Sequence, residues 1–551
     1  MRRSLAPANL HAATRQELTP SPRRRITMAK FLGLDSSTQS LSALIIDTDS
    51  GKIEVDKSVN FGARLPQFGS PSGFLPNPDA SIKHADPLMW VEALDLLLQE
   101  LKAAGVDLGK IRGISGAGQQ HGSVYLNQSM DDVGDFSPSR SLAEQIKPLL
   151  SRKTAPIWMD SSTSAECAEI AAAVGGDERV AAISGSRATL RFTGPQIRRF
   201  YKTSPVEWEK TAEIHLVSSF IASLLTGKSV PIDLGDGAGM NLLDLSAGRW
   251  SQVLLDATAP GLAGKLKPAV PSTTVVGEIA GYFVKKYGFA PGTKVVAFTG
   301  DNPSSLIGMG ASEPGTAVIS LGTSDTVFTA MSSMRTDPRG HGSVFGNPAG
   351  GFMSLACFSN GSLAREEIAK RFNLSWNDFA AAIVEKTRPG NGGNLLLPYF
   401  VPEITPRLLK PRPRWVGDDA FVNGKDAAAA ARAVVEAQAI SMRMHSDWIG
   451  EKMHTILVTG GASRNHGILR VLADVFQATI LPLSVSNSSA LGGALRAAQA
   501  VEGRSWSDLY ATFCPPERSM AVNPDANTVN VYDKLSKEFA KQLDQIMAAK
   551  D

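Results

Sequence analysis

The first regular pattern in this chain consists of three short hydrophobic runs separated by polar turns. Residues 30–34 read KFLGL, residues 41–46 read LSALII and residues 52–55 read KIEV. The segments between them, 35–39 and 47–51, are rich in the turn-forming residues Asp, Ser, Thr and Gly. This spacing predicts an antiparallel β-meander rather than a strand–helix–strand unit.

A helix and a fourth strand are predicted next. Leu88, Val91, Leu94, Leu97 and Leu101 recur at helical spacing within residues 86–103. Residues 111–115 then form a short apolar run that leads into the glycine-rich segment GAGQQHG at 116–122. The pattern therefore places a glycine-rich loop directly after a buried strand.

The second half of the chain repeats this arrangement. Residues 293–298 predict a strand that leads to Gly300, Asp301 and Asn302, and residues 317–321 predict a strand that leads to the turn GTSDT. The segment from Ser320 to Thr326 resembles the segment from Leu32 to Thr38, since both are a strand followed by a hydroxyl-rich turn. We infer a duplicated domain with a boundary near residue 290, where the turn-forming sequence APG lies.

Further elements follow in the same half. A long alanine-rich helix is predicted over 427–449, and strands are predicted over 456–459 and 480–483. Between these strands, an amphipathic helix is predicted over 468–476. The small residues of 489–494 predict a closely packed helix.

Composition and charge exclude several classes of protein. The chain has 551 residues, enough for two large domains, with 43% hydrophobic residues, 20% charged residues and a net charge of +3. This small charge gives no reason to expect binding to nucleic acid or to an anionic membrane. No apolar run approaches the ~18 residues of a membrane span. The three cysteines show no CxxC spacing, which is typical of reduced thiols in a cytoplasmic protein.

The first 27 residues carry several arginines and few acids, as transit peptides do. Pro7, Pro20 and Pro22 would nevertheless break an amphipathic helix. We therefore expect residues 1–27 to be an upstream extension or a disordered arm rather than a targeting signal.

The common nucleotide-binding fingerprints are missing. The sequence GKS at 227–229 lacks the upstream glycine of a phosphate-binding P-loop, and no strand leads into GxGxxG. Hydroxyl-rich and glycine-rich turns replace them at 35–38, 322–324 and 460–461. Such turns offer backbone N–H groups and hydroxyls to phosphate oxygens, and Asp35 adds a carboxylate suited to hydrated Mg²⁺.

Asp301 is the candidate general base, because it follows a strand and a glycine and would project from the end of that strand. Residue types alone leave other roles open. Asp301 could cap the helix that Pro303 begins, Arg191 could be a surface charge, and His121 could be a structural histidine. The sequence GISGA at 113–117 also comes close to the nucleophile elbow of α/β hydrolases.

Five motifs together resemble the FGGY family of carbohydrate kinases: LGLDSST at 32–38, GQQHG at 118–122, GDN at 300–302, LGTS at 321–324 and GGASRN at 460–465. The resemblance spans about residues 30–535. It implies an α/β fold with two ribonuclease H-like, actin-like ATPase domains, and ATP and sugar that meet in the cleft between them. The segments at 157–163, 183–188 and 235–241 resemble the animal and fungal branch that phosphorylates the ketopentose xylulose.

The resemblance also implies which residues form the site. The catalytic pair would be Asp301 as base and Asp35, which would hold Mg²⁺ through water. The sugar would be bound by His121, Gln120, Arg191, Asp301 and Asn302. The residues implied for ATP are Thr38, Gly322, Thr323, Trp376, Gly461, Ala462 and Asn465.

The predicted organisation is a sugar-binding domain over 28–290, a nucleotide-binding domain over 291–535 and a helical tail over 536–551. The expected reaction converts D-xylulose to D-xylulose 5-phosphate with ATP and Mg²⁺. The expected partners are the sugar and ATP, without nucleic acid or membrane, and a homodimer stays open. The alternatives are a kinase for ribulose, glycerol or another polyol, and a sugar-sensing protein without catalysis on the same fold.

Overall fold

The predicted meander forms in the computed structural model, which describes residues 29–549. The predicted extension at 1–27 lies outside the described residues. The strands of the first half are β1 Lys30–Ser36, β2 Ser40–Asp47, β3 Lys52–Asn60, β4 His84–Ala85, β5 Ile111–Gly118, β6 Ser123–Leu126, β7 Ala155–Pro156, β8 Glu213–Leu216, β9 Leu243–Asp244, β10 Arg249–Trp250, β11 Val275–Glu278, β12 Lys294–Val296 and β13 Thr299–Gly300. The strands of the second half are β14 Thr316–Leu321, β15 Asp325–Met331, β16 Ser343–Gly346, β17 Phe352–Phe358, β18 Leu395–Leu397, β19 Arg414–Val416, β20 Thr455–Gly460 and β21 Thr479–Pro482.

The helices cover both faces of the two large sheets. In the first half they are α1 Phe61–Arg64, α2 Pro87–Ala103, α3 Leu142–Ile146, α4 Ser164–Val174, α5 Asp177–Ser184, α6 Thr193–Thr203, α7 Pro205–Lys210, α8 Val217–Thr226, α9 Leu234–Gly237, α10 Gln252–Thr258, α11 Gly281–Tyr287 and α12 Asp301–Gly308. In the second half they are α13 Ser362–Arg371, α14 Trp376–Ala381, α15 Asp419–Val422, α16 Ala427–Met444, α17 His466–Phe476, α18 Ser488–Glu502, α19 Trp506–Phe513 and α20 Val529–Ala548.

The two large sheets share a five-stranded core, and they differ in the edge strand, which is added beside β12 in the first sheet and beside β17 in the second. The first has the order β11-β12-β5-β1-β2-β3, with β13 also paired to β5, and the second has the order β16-β17-β15-β14-β20-β21. In each, an antiparallel meander is extended by two parallel strands, β5 and β12 in the first and β20 and β21 in the second. The duplicated domain inferred from the short sequence repeat is therefore present as a repeated sheet.

The strand predicted over residues 293–298 differs from its prediction in two ways. It is split into β12 and β13, and both pieces pair with β5 in the first sheet rather than opening the second. Between them the Phe298 ring packs on Gly116, where an added Cβ would lie 2.4 Å from the ring. The domain boundary at 290 stays a prediction, and the strands on either side of it, β11 and β12, pair with each other.

Two helices with small residues join the halves. α12 leaves the first sheet, and α18 follows the last strand of the second sheet but packs on β1, where a Cβ on Gly33 would lie 1.8 Å from the Ala490 carbonyl oxygen. Such closeness needs residues without side chains on both surfaces. The helical tail predicted from 536 lies within α20, which begins at Val529.

None of the helices within residues 29–549 combines the length and the apolar character that a membrane span requires.

Candidate active site

Three parallel strand ends bring the predicted catalytic residues to one edge of the first sheet. Ser36 at the end of β1 is in register with Gly118 at the end of β5, and Gly300 of β13 is in register with the same glycine. Asp35 lies in β1, Gln120 and His121 follow β5, and Asp301 and Asn302 follow β13. Residues far apart in sequence are thus neighbours because parallel strands end at a common edge.

Asn302 connects two of these loops. Its side-chain Nδ2 donates to Gln120 Oε1 at 2.9 Å and to Asp301 Oδ1 at 2.9 Å, and its backbone N–H donates to the same carboxylate oxygen at 2.7 Å. Gly300 makes this approach possible, since a Cβ there would lie 2.5 Å from the Gln120 side chain. The helix-capping alternative for Asp301 does not hold, because Gly300 is the N-cap of α12 and Asp301 is its first helical residue.

Burial changes the acidity of both candidate catalytic acids. It raises the pKa of Asp301 to about 6, against the opposing hydrogen bonds from Asn302. Burial and the charge of Asp301 raise the pKa of Asp35 to about 7. Both side chains remain partly exposed. The two carboxyl groups therefore share one site, and each makes ionisation of the other less favourable.

His121 is held as a neutral acceptor. Its Nδ1 lies 2.8 Å from the carbonyl oxygen of Gly239, so Nδ1 carries the proton and Nε2 has a free lone pair. Burial and the charge of Arg191 lower the pKa of the imidazole to about 3. Its ring stacks on Phe192 with the centroids 4.2 Å apart. The fixed ring can accept a hydrogen bond from a hydroxyl group.

Arg191 lies close enough to His121 and to Cys357 for its charge to act on both. Among residues 29–549, its guanidinium makes no hydrogen bond or ion pair. The side chain is partly buried. A partly buried cation without a protein partner is suited to an oxygen-rich ligand.

The predicted ATP turns are neighbours in the second sheet. Leu321 at the end of β14 is in register with Gly460 at the end of β20. A Cβ on Gly460 would lie 2.3 Å from the Leu321 carbonyl oxygen, so the two turns touch through their backbones. Thr323 and Gly461 are exposed, whereas Gly322 and Ala462 are half-buried.

Trp376 and Asn465 lie beside these turns. Trp376 is 50% exposed at the start of α14, where the ring contacts Phe379 edge to face. Asn465 caps α17 by accepting from the Ile468 N–H at 3.2 Å. α14 packs against α17. The helix that Trp376 begins therefore packs on the helix that follows the Gly460–Asn465 turn.

Cys357, in the second sheet, lies near Arg191 and Asp301 of the first half. It lies in β17 opposite Thr326, and the charges of Arg191 and Asp301 act on its thiol, whose pKa is raised chiefly by burial. The sequence suggested only a reduced thiol at this position. Nothing in its local pattern indicates a place beside Asp301, because that place depends on how the two halves meet.

Asp236 is a second residue that sequence reasoning missed, although the motif GDGAGMN contains it. Ser218 Oγ donates to its Oδ2 at 2.6 Å, and its Oδ1 is buried without a partner. Burial and the charges of Asp233 and Asp301 raise its pKa well above the usual value. Burial and the neighbouring acids therefore favour the protonated form of Asp236 more than that of an ordinary aspartate.

The hydrolase alternative is wrong in its geometry. Ser115 lies within β5 rather than on a sharp turn after it, and the side chain is fully buried. Its hydroxyl donates to the Ala297 carbonyl oxygen at 3.0 Å. A nucleophilic serine must instead be exposed at the top of the sheet.

Comparison with known proteins defines the class. The model of the FGGY carbohydrate kinase N-terminal domain matches residues 141–308, and that of the C-terminal domain matches residues 317–501. The chain belongs to the FGGY family of carbohydrate kinases, a class of phosphotransferases with an alcohol group as acceptor. The predicted fold class, α/β with two actin-like domains, is confirmed.

Individual relatives cover nearly the whole chain. A xylulose kinase from Rattus norvegicus is 41% identical over 527 residues, which cover 94% of this chain and 97% of the relative. Xylulose kinase 2 from Arabidopsis thaliana is 40% identical, over 85% of this chain and 86% of its own. The crystal structure of xylulose kinase from Rhodospirillum rubrum superposes with a TM-score of 0.78 at 22% identity, over 94% of this chain and 99% of that one.

Proposed function

We propose that the protein transfers the γ-phosphoryl group of ATP to D-xylulose and forms D-xylulose 5-phosphate, with Asp301 as the general base. The observation that carries the proposal is the meeting of Asp301, Asn302 and Gln120 at adjoining strand ends in a chain similar to xylulose kinases over almost its full length. Ribulose, glycerol and other polyols are the alternative substrates against which this proposal is tested.

The residues of the first half account for the binding of a polyol. His121 Nε2 offers an acceptor, since Nδ1 is committed to Gly239. Gln120 Nε2 is buried without a partner and offers a donor. Arg191 adds donors in a fixed planar fork. A sugar with several hydroxyls needs this mixture of donors and acceptors.

Asp301 is suited to accept the proton of the attacking hydroxyl. In the reaction the sugar oxygen bonds to the γ-phosphorus, the bond to ADP breaks, and the proton passes to the Asp301 carboxylate and later to solvent. The backbone and side chain of Asn302 both hold Oδ1 of that carboxylate, which fixes its direction. A positioned base of this kind contributes typically ~10²–10⁴-fold to the rate.

Asp35 fits a magnesium ion. Its Oδ1 is buried without a partner, and a bound cation would relieve the repulsion between the Asp35 and Asp301 carboxylates. We propose that Asp35 holds Mg²⁺ through water, and the ion would neutralise charge on the phosphate oxygens. We further propose a cytoplasmic location, because the thiols of Cys167, Cys357 and Cys514 are free. Native mass spectrometry would show whether the protein forms a homodimer.

The turns of the second half are the proposed ATP site. Gly322, Thr323, Gly461 and Ala462 offer backbone that a phosphate or a flat ring can approach closely. Trp376 and Asn465 would border the adenine, and Thr38 would reach the phosphates from the first half. ATP bound there would lie opposite Asp301, on the other side of the junction between the two sheets.

A coupled assay of ADP release across ketopentoses, aldopentoses and glycerol tests the function. We expect the highest kcat/KM with D-xylulose, and a loss of ~10²–10⁴-fold in kcat in Asp301→Asn with sugar affinity retained. Asp544→Asn, an exposed acid on α20, is the matched control. Activity on another polyol and none on xylulose would overturn the substrate, and sugar binding without turnover would favour the sensor.

A further inference from the structure

Trp158 is a large aromatic residue on a turn that packing holds in place. It follows β7, and 41% of its surface is exposed, although its neighbours Ile157 and Asp160 are fully buried. The turn closes through the Asp160 N–H, which donates to the Ile157 carbonyl oxygen at 2.9 Å. An exposed indole on a rigid support calls for an explanation beyond packing.

Asp160 anchors that turn to two other parts of the first half. Its carboxylate accepts from the Lys83 N–H at 2.9 Å, from the Ser162 N–H at 3.0 Å and from Gln196 Nε2 at 2.7 Å. The Ser161 N–H also donates to the Ser81 carbonyl oxygen at 2.8 Å. The Ile157 N–H donates to the Lys83 carbonyl oxygen at 3.0 Å, so the backbone that carries Trp158 is anchored on both sides of this residue.

The indole contacts the turn between β1 and β2. Trp158 Nε1 lies 2.8 Å from Thr38 Oγ1. Indole nitrogen is a donor only, so the threonine oxygen must accept this hydrogen bond. The hydroxyl proton of Thr38 is then free, since its side chain makes no other hydrogen bond among residues 29–549. The contact thus leaves one donor that points away from the ring.

The backbone of Thr38 is also fixed by a close contact. Gly73 packs on its backbone, and a Cβ on Gly73 would lie 1.8 Å from the Thr38 carbonyl oxygen. Of the other hydroxyls in this turn, Ser37 Oγ donates to the Ser40 carbonyl oxygen at 3.0 Å, and Ser36 Oγ is buried. Ser36 Oγ also lacks a partner but is buried, so Thr38 is the partly exposed hydroxyl of the turn that is left to donate to a ligand.

We propose that Trp158 is a positioning residue for phosphoryl transfer, whose indole N–H orients the Thr38 hydroxyl so that its proton donates to a γ-phosphate oxygen of bound ATP. This inference rests on the proposed function, in which Thr38 contacts the phosphates. Orientation in advance matters because a hydroxyl that rotates freely loses part of its hydrogen-bond energy to the ordering of its rotor.

A double-mutant cycle tests the inference. Trp158→Phe keeps an aromatic ring and removes the N–H, and Thr38→Val keeps the shape and removes the hydroxyl. The affinity for a non-hydrolysable ATP analogue, measured by calorimetry, is expected to fall about 2- to 10-fold in Trp158→Phe. The same change in the Thr38→Val background is expected to cost nothing further, because the indole would have no hydroxyl left to orient.

ADP provides the internal comparison, since it lacks the γ-phosphate, and its affinity is expected to be unchanged in Trp158→Phe. Trp506→Phe, on α19 with its ring stacked on Tyr510, is the matched control. Equal losses for ADP and the analogue, additive losses in the double variant, or a change confined to the KM for the sugar would each overturn the proposal. Because nucleotide affinity is read without sugar, these results stand whichever sugar proves to be the substrate.

Discussion

Gly492 on α18 lies directly against the carbonyl oxygen of Ser304 on α12, and an added Cβ would come within 1.9 Å of that oxygen. The contact is reciprocal, since a Cβ on Gly308 of α12 would come within 1.9 Å of the Ser488 carbonyl oxygen. The two helices that join the halves therefore touch through their backbones. Side-chain motion cannot relieve an atom inserted between them.

We expect Gly492→Ala to destabilise the protein by about 1–3 kcal/mol, the usual cost of overpacking a close contact. The apparent melting temperature in the absence of ligands measures the effect. Gly281→Ala on α11 is the control, because nothing lies within 4 Å of the added Cβ, and a helical alanine is favoured over glycine. Equal shifts in the two variants would contradict the proposed role of this contact.

The activity is expected to fall as the pH is lowered through the range from about 7 to about 6, where Asp35 and then Asp301 take up protons. Asp301 must be ionised to accept a proton, and burial raises its pKa to about 6, so acid removes the active form. His121 should not change the profile of activity against pH between pH 5 and 8, because its pKa of about 3 keeps it neutral there. A pH series of kcat/KM tests this, and a flat profile down to pH 5 would exclude a base with a raised pKa.

Asp236 should tolerate replacement by asparagine but not by alanine. If the acid is protonated at neutral pH, Asp236→Asn keeps the shape and still accepts the Ser218 hydrogen bond, so the melting temperature should change little. Asp236→Ala leaves the buried Ser218 hydroxyl unpaired, at a cost of about 1–3 kcal/mol. Comparable destabilisation in both variants would mean that the ionised carboxylate is needed.

Local sequence patterns predicted most of the elements. The meander of β1 to β3, the helix α2 and the strands β14 and β20 all lie where hydrophobic period and turn residues indicate them. The strand predicted over 293–298 is present in part, as β12, but it pairs in the first sheet rather than opening the second. Hydrophobic runs report burial, but they do not say which sheet will take a strand.

The candidate site divides in the same way. The places of Asp35 and Asp301 at strand ends suggested their roles, and the resemblance to the FGGY family added Gln120, His121 and Asn302. No motif indicated that Asp236 lies behind Asp301 or that Cys357 of the second sheet lies near it. These contacts join segments that are far apart in the chain and follow from the way the sheets meet.

By itself the sequence determined the first meander, the turns after its strands and the residue types that those turns present, because these depend on local spacing and backbone preference. The tertiary structure alone decided the raised pKa of Asp236, the acceptor role of His121 Nε2 and the free proton of Thr38. The physical reason is that burial and the direction of a hydrogen bond depend on partners that long-range packing brings together.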